Sequence, residues 1–378
     1  TSSAVLASDF HSITAPRFPR RLCYTEGHQF AWPLARHPER TSVKAVILAA
    51  GEGTRLRPLT YVMPKPLVPV LSTPLIVETI TQLAASGVRD FLIVTKYMED
   101  TLKQYLGDGS RYGVSLSYLT QGSEKGTGAA TRIAREFVGD STFFLGFADL
   151  YISPENYPSL LSAYERFGQP DLMLTVYEVD DPCHGAAVYE TEGRVEKVIE
   201  KPAPGTSNTN WMNAGLFCAQ PVLFDYLDAL TPSSRGEYEL PDAFNRMIVE
   251  KRPVFATPLA GVWSDLGRPQ QVLLTDGQAM RHDISLVSRP DPMALVHIGA
   301  QAEVGACHFE GIVSIAGKTE VESGCKLVNC AILGDAYLET ACELVNCLVA
   351  PGVYVKSGER HVGSADDPVI LMPTGYGL

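Results

Sequence analysis

Val43-Lys44-Ala45-Val46-Ile47-Leu48-Ala49-Ala50 is a near-continuous apolar run that stops at Gly51. A run of this length, apolar on both faces and closed by glycine, is a strand buried in the middle of a parallel sheet. Downstream, Leu75, Ile76, Thr79, Ile80, Leu83 and Ala84 keep a helical period, and Gly87 stands where a helix ends. Phe91-Leu92-Ile93-Val94 is the next short strand, and further strand-like runs fall at 114–119, 142–147, 172–179, 215–218 and 254–258. Helical stretches lie between several of them, at 99–106, 127–137, 157–167, 222–230 and 240–250. Strand and helix in alternation predict a doubly wound α/β domain with a mixed, mostly parallel sheet. Its ligand crevice is expected at the carboxyl ends of the strands.

After about residue 285 the helical period disappears and aliphatic residues recur every sixth position: Ile315, Val321, Leu327 and Leu333, then Leu338 and Leu344. A longer echo accompanies them, Cys325-Lys326-Leu327-Val328-Asn329-Cys330 returning as Cys342-Glu343-Leu344-Val345-Asn346-Cys347. A six-residue aliphatic beat predicts a parallel β-helix of three to four coils of about 18 residues, its repeated cysteines and asparagines stacked as ladders. The division expected is a 1–42 extension, poorly ordered; a catalytic domain at 43–284; a β-helix at 285–365; and a tail at 366–378. The extension holds arginines 17, 20, 21, 36 and 40 against Asp9, Glu26 and Glu39, with no apolar core for a signal peptide.

Composition narrows the function. The 378 residues carry 31 Lys and Arg against 43 Asp and Glu, a net charge of −12. That balance speaks against nonspecific grip on a nucleic acid, while no apolar stretch has the roughly 18 residues of a membrane helix. Eight cysteines without a C-x-x-C pair point to reduced thiols and a cytoplasmic setting.

The chemistry concentrates in Gly51-Glu52-Gly53-Thr54-Arg55-Leu56-Arg57-Pro58-Leu59-Thr60, followed by Pro64-Lys65-Pro66-Leu67. A glycine turn at a strand end aims several backbone N–H groups at one point and makes a nest for phosphate oxygens. It is not a dinucleotide fingerprint, because Leu56 stands where the third glycine belongs, and it lacks the Gly-Lys-Ser/Thr of a P-loop. What remains is a phosphate nest with a guanidinium, Arg55, and an ammonium, Lys65, set between two prolines.

This composite resembles the sugar-1-phosphate nucleotidyltransferases, or nucleotide-sugar pyrophosphorylases. The resemblance runs on through Gln121, Lys125-Gly126-Thr127-Gly128, Asp149, Glu200-Lys201-Pro202, Asn213-Ala214-Gly215, Gly236-Glu237-Tyr238-Glu239-Leu240 and Trp263-Ser264-Asp265-Leu266-Gly267. It implies the nucleotide-diphospho-sugar transferase fold, followed by a short left-handed parallel β-helix through which copies of the chain associate. It also implies an activity: a sugar 1-phosphate attacks the α-phosphorus of a nucleoside triphosphate and pyrophosphate leaves. Thymidylyl or uridylyl transfer to glucose 1-phosphate is the expected form. By the same resemblance, Arg55 and Lys65 neutralise the triphosphate, and Asp149 and Asp265 hold Mg²⁺. Ala49, Gly51, Gly53, Thr54, Gln121, Gly126 and Thr127 bind the nucleotide, while Gly185, Glu200, Lys201 and Asn213 receive the sugar phosphate. The sequence departs from the family at Ala148, usually glycine, and at His184, usually tyrosine. Two other functions fit the same plan, a catalytically silent regulatory subunit that binds nucleotide sugars and an acyltransferase working on the β-helix.

Overall fold

Apolar strands pair where their register lets both faces be covered, and strands of that kind form the middle of a nine-stranded sheet here. The computed structural model describes residues 43–375 except Pro292, so the expected extension at 1–42 lies outside the described residues. The strands are β1 (Lys44–Ala49), β2 (Asp90–Thr95), β3 (Ser115–Thr120), β4 (Phe143–Phe147), β5 (Leu172–Glu178), β6 (Ala186–Thr191), β7 (Arg194–Glu200), β8 (Trp211–Ala219) and β9 (Val254–Pro258). They form one sheet in the order β3-β2-β1-β4-β8-β5-β9-β7-β6. β1 is buried from Ala45 to Ala49, and helices flank the sheet with separate apolar cores.

The expectation of a mostly parallel sheet needs correction. β3, β2, β1 and β4 run parallel, as do β5 and β9, but β8 runs antiparallel to both its neighbours, β4 and β5. β7 is antiparallel to β9 and to β6. Half of the eight neighbour pairings are therefore antiparallel. The cause is local: β6 and β7 form a hairpin and β8 returns beside them, so no crossover helix intervenes to restore direction. The hairpin itself was not read from the sequence, nor was the helix Pro269–His282. The helix expected at 127–137 is two shorter ones, Thr127–Arg132 and Arg135–Val138.

Beyond residue 293 the backbone builds two parallel ladders. One stacks Ala294–Ile298, His308–Ile315, Lys326–Ile332, Glu343–Val349 and Arg360–Val362; the other stacks the two-residue strands at 303, 320, 337 and 354. Lys326 pairs with Glu343 and Cys330 with Cys347, the spacing of the sequence echo. Asn329 and Asn346 share a left-handed φ of 49°, and Asn329 Nδ2 donates to Asn346 Oδ1 at 3.2 Å, a ladder of amides. Cys325, Cys330, Cys342 and Cys347 are buried among the aliphatic residues, as expected of packing residues. The tail boundary at 365 is corrected: Val369–Leu371 pairs with Cys347–Val349 and continues the stack.

The expected boundary near residue 285 marks a change of texture but not of core. Leu56, Leu59, Val68, Val70, Leu71 and Leu75 share one apolar cluster with Val272, Ala279 and Met280 of the last helix and with the stack's Val296, Val313, Ile315 and Leu327. Within that contact lies Asp276, fully buried, whose Oδ1 accepts from the Leu71 N–H at 2.7 Å while Oδ2 bonds the Ser314 hydroxyl. Burial pushes its carboxyl up from an ordinary 3.8 to about 7, against the opposing pull of those two hydrogen bonds. The unfolded chain thus releases this proton near 3.8 and the folded chain near 7, so between the two the folded state binds more protons. Its contribution to stability falls as pH rises through that window and is flat outside it. Denaturant titrations at about pH 4.5 and about pH 7.5 should show a larger loss for the native chain than for Asp276→Asn. Equal losses would refute the shift.

Candidate active site

The four parallel strands β1 to β4 all deliver their carboxyl ends to the same edge of the sheet, and the signature residues leave from those ends. After Ala49 the chain turns through Gly51 to Gly53, which has a left-handed φ of 61°. A Cβ at Gly53 would stand 3.1 Å from Lys65 Cβ and 3.1 Å from Thr60 Cγ2, so the turn is pressed against the lysine stem. The Gly53 carbonyl accepts from Thr60 Oγ1 at 3.1 Å and from the Leu56 N–H at 2.9 Å. Gly51 and Thr54 remain exposed on the outer side of the turn.

Lys65 opens a single 3-10 turn, Lys65–Leu67, between two prolines that limit its backbone. Its side chain is only 7% exposed, and Nζ donates to Asp149 Oδ2 and Asp265 Oδ1 at 2.7 Å each. Burial disfavours the ammonium, but the two carboxylates outweigh that penalty and raise its pKa above the ordinary value. The aspartates meet because Leu150–Ile152 and Trp263–Asp265 pair antiparallel, Asp265 opposite Leu150. Arg55 reaches the same place from the glycine turn: a Cβ at Gly267 would lie 3.5 Å from its guanidinium carbon and 3.5 Å from Asp265 Oδ2. The four residues read from the sequence as catalytic are therefore one cluster. Among the described residues, no group of three or more His, Cys, Asp or Glu could hold a metal ion, so the acidic donors here are the two aspartates.

At the end of β3 the Gln121 N–H donates to the Thr95 carbonyl at 2.8 Å, and its Nε2 donates to the Glu124 carbonyl at 2.9 Å. Gly126 has a φ of 104°, and a Cβ there would fall 2.3 Å from the Tyr238 carbonyl oxygen. The two segments zip together, the Tyr238 N–H donating to the Lys125 carbonyl at 2.9 Å and the Gly128 N–H to the Tyr238 carbonyl at 2.8 Å. Thr127 Oγ1 accepts from the Leu240 N–H at 3.3 Å. The expected base-reading loop is thus anchored along the segment 236–240.

The residues expected to take the sugar phosphate form a second group. The Lys201 N–H donates to the Gly185 carbonyl at 2.8 Å, and Gly185 lies so close to Met212 that a Cβ would fall 2.7 Å from its sulfur. Glu200 sits 3.6 Å from Lys201 Nζ and 3.3 Å from Arg235 Nη2, which also holds Glu239 at 2.8 Å. Asn213 Oδ1 accepts from the Gly215 N–H at 3.1 Å. A Cβ at Gly215 would stand 2.5 Å from Phe147 and from Leu150, the residues on either side of the Asp149 turn, so this group abuts the acidic cluster. His184 is exposed on the turn before Gly185.

Arg235, Met212 and Trp263 were not singled out as site residues from the sequence. The Trp263 indole N–H donates to the Ala214 carbonyl at 2.9 Å, and its ring lies 5.5 Å from that of Tyr177. Trp263 stood within a recognised motif, which was its signal; Arg235 had none beyond its place before Gly236.

A family model described as nucleotidyl transferase matches residues 44–278. The glucose-1-phosphate thymidylyltransferase of Streptomyces griseus is 32% identical over 285 residues, covering 74% of this chain and 79% of its own. A mannose-1-phosphate guanyltransferase of Eremothecium gossypii is 30% identical over 277 residues, 69% of this chain and 73% of its own. A Bacillus anthracis crystal structure in complex with a sucrose superposes with a TM-score of 0.57 at 26% identity, over 64% of this chain and 96% of its own.

The glycine contacts separate two kinds of position. Gly126→Ala should lower stability by about 1–3 kcal/mol through backbone strain and overlap with Tyr238. Gly51→Ala, whose new methyl meets nothing within 4 Å, should be close to neutral. Thermal melts of the two variants check the contrast, and equal effects would contradict it.

Proposed function

The chain belongs to the sugar-1-phosphate nucleotidyltransferase family, and from that premise we propose that it joins a thymidylyl or uridylyl group to glucose 1-phosphate. The observation that carries the reading is the meeting of Lys65, Asp149 and Asp265 at 2.7 Å beneath the glycine turn, with Arg55 alongside. Both reactants are polyanions, so the barrier consists largely of bringing like charges together in line. No general base is needed, because the attacking phosphate oxygen is already ionised.

Each residue then has a task. The N–H groups of the Gly51–Thr54 turn receive phosphate oxygens, and Ala49 at the strand end forms the floor. Arg55 and Lys65 offset the negative charge that builds on the departing pyrophosphate. Lys201, whose N–H is fixed to Gly185, draws in the sugar phosphate; Glu200, steadied by Arg235, and Asn213 face the sugar hydroxyls. Gln121, Gly126 and Thr127 read the base. The two aspartates suit Mg²⁺, since each keeps one oxygen outside its bond to Lys65 and both are hard donors. When bound, Mg²⁺ supplies charge neutralisation at the phosphate oxygens, and the remaining ligands would be substrate and water. The preference for a pyrimidine nucleotide and for glucose rests on the Streptomyces griseus relative and on the Gly126-Thr127 pair; the guanyltransferase relative makes GTP and mannose 1-phosphate the pair to test against it.

The silent-subunit reading would predict a gap in the charged cluster, and there is none among its four members. The acyltransferase reading rests on His297 and His308: His297 is partly buried with Nε2 on Ser72 and Nδ1 on the Leu286 carbonyl, and His308 is exposed at the start of its strand.

Pyrophosphate release measured with four triphosphates against a panel of sugar 1-phosphates tests the proposal, with dTTP or UTP and glucose 1-phosphate expected to turn over fastest. Asp265→Asn and Lys65→Ala should each slow the reaction by at least about tenfold, or about 1.4 kcal/mol. No turnover with any pair, or near-normal rates in folded variants, would overturn it.

A further inference from the structure

Lys65 is followed within six residues by a tight hairpin, Pro69–Val70 against Thr73–Pro74, closed by Leu71 and Ser72. Leu71 has a φ of 59°, a left-handed backbone that a leucine side chain opposes, and yet its side chain is buried. Something outside the hairpin must hold it there. Two contacts do. The Leu71 N–H donates to Asp276 Oδ1 at 2.7 Å, and Asp276 is tied through its other oxygen to Ser314 of the stack. Ser72 Oγ lies 2.9 Å from His297 Nε2, and His297 Nδ1 is 2.8 Å from the Leu286 carbonyl. The coil carrying His297 passes directly over the turn, since a Cβ at Gly299 would come within 3.1 Å of Ser72 Cβ. The segment leading into the hairpin rests on the same surface: Val68, Val70 and Leu75 share an apolar cluster with Val313 and Ile315.

We propose that Asp276 and His297 are positioning residues for the transfer, holding the Leu71-Ser72 turn and through it the Lys65 ammonium between the two aspartates. The C-terminal stack is then part of the catalytic scaffold and reaches the reacting phosphates through one turn of backbone. The inference rests on the transfer reading above. A positioning role also predicts what replaces what: an asparagine at 276 still accepts from the Leu71 N–H and donates to Ser314, whereas an alanine does neither.

The test compares Asp276→Ala and Asp276→Asn in the full chain, each with Lys65 present and with Lys65→Ala, using the substrate pair that wild type turns over fastest. With Lys65 present, Asp276→Ala should lower kcat about tenfold and leave the KM for sugar 1-phosphate within about twofold, and Asp276→Asn should stay within about threefold of wild type. In the Lys65→Ala background, Asp276→Ala should cost less than about twofold, because its effect passes through that lysine. An Asp276→Ala enzyme as fast as wild type, or an equal loss in both backgrounds, would overturn the proposal. If Asp276→Ala does not fold, Ser72→Ala decides, with a roughly threefold loss expected only when Lys65 is present. An inactive wild type brings down the transfer reading itself, while an active wild type with insensitive variants brings down only this inference.

Discussion

A lysine ammonium taken out of water is tolerated only beside negative charge, and the site depends on how that requirement is met at Lys65. Desolvating an ion costs several kcal/mol, which only close opposite charges and hydrogen bonds offset. Asp149 and Asp265 come from segments far apart in the chain, so the two bonds to Lys65 tie the loop after β1 to the turn after β4 and to the strand before the last helix. One buried cation thus assembles three pieces of backbone around the place where phosphates are expected. The same bonds keep two aspartates from repelling each other before a substrate arrives.

Shape is set next to that charge by close packing against glycine backbone. Gly126 against Tyr238, Gly185 against Met212 and Gly215 against Phe147 and Leu150 are contacts with no room for a side chain. They seat the segment 236–240 against the loop after β3, and β8 against the turn after β4.

Much of this was legible in the sequence, for identifiable reasons. β1 and its neighbours are continuous apolar runs, the glycine turn has a spacing that few other loops share, and the 17-residue echo repeats the ladder it builds. The remainder was hidden by local chemistry. β7 reads Arg-Val-Glu-Lys-Val-Ile-Glu, with its buried Val195 and Val198 three apart as in a helix, because a bulge between Val195 and Lys197 shifts the alternation. The helix Pro269–His282 buries Thr275, Asp276 and Gly277 and leaves Leu274 half exposed, so its hydrophobic pattern points the wrong way. The reversed direction of β8 leaves no trace in an apolar run, since burial on two faces does not depend on which way a strand points.

The amide ladder of the stack sets a rule for its own growth. Asn329 donates to Asn346, and Asn346 in turn donates to the Gly363 carbonyl at 3.1 Å, where the series stops for want of another side chain. Each asparagine accepts from the rung before it, Asn329 from the Ile312 N–H and Asn346 from Asn329, and donates to the rung after. Length is accordingly a modular property of this stack of parallel strands: duplicating a unit that keeps the asparagine and its flanking cysteine would add a storey at the far end, while shortening from the near end would remove the floor on which Ser72 stands.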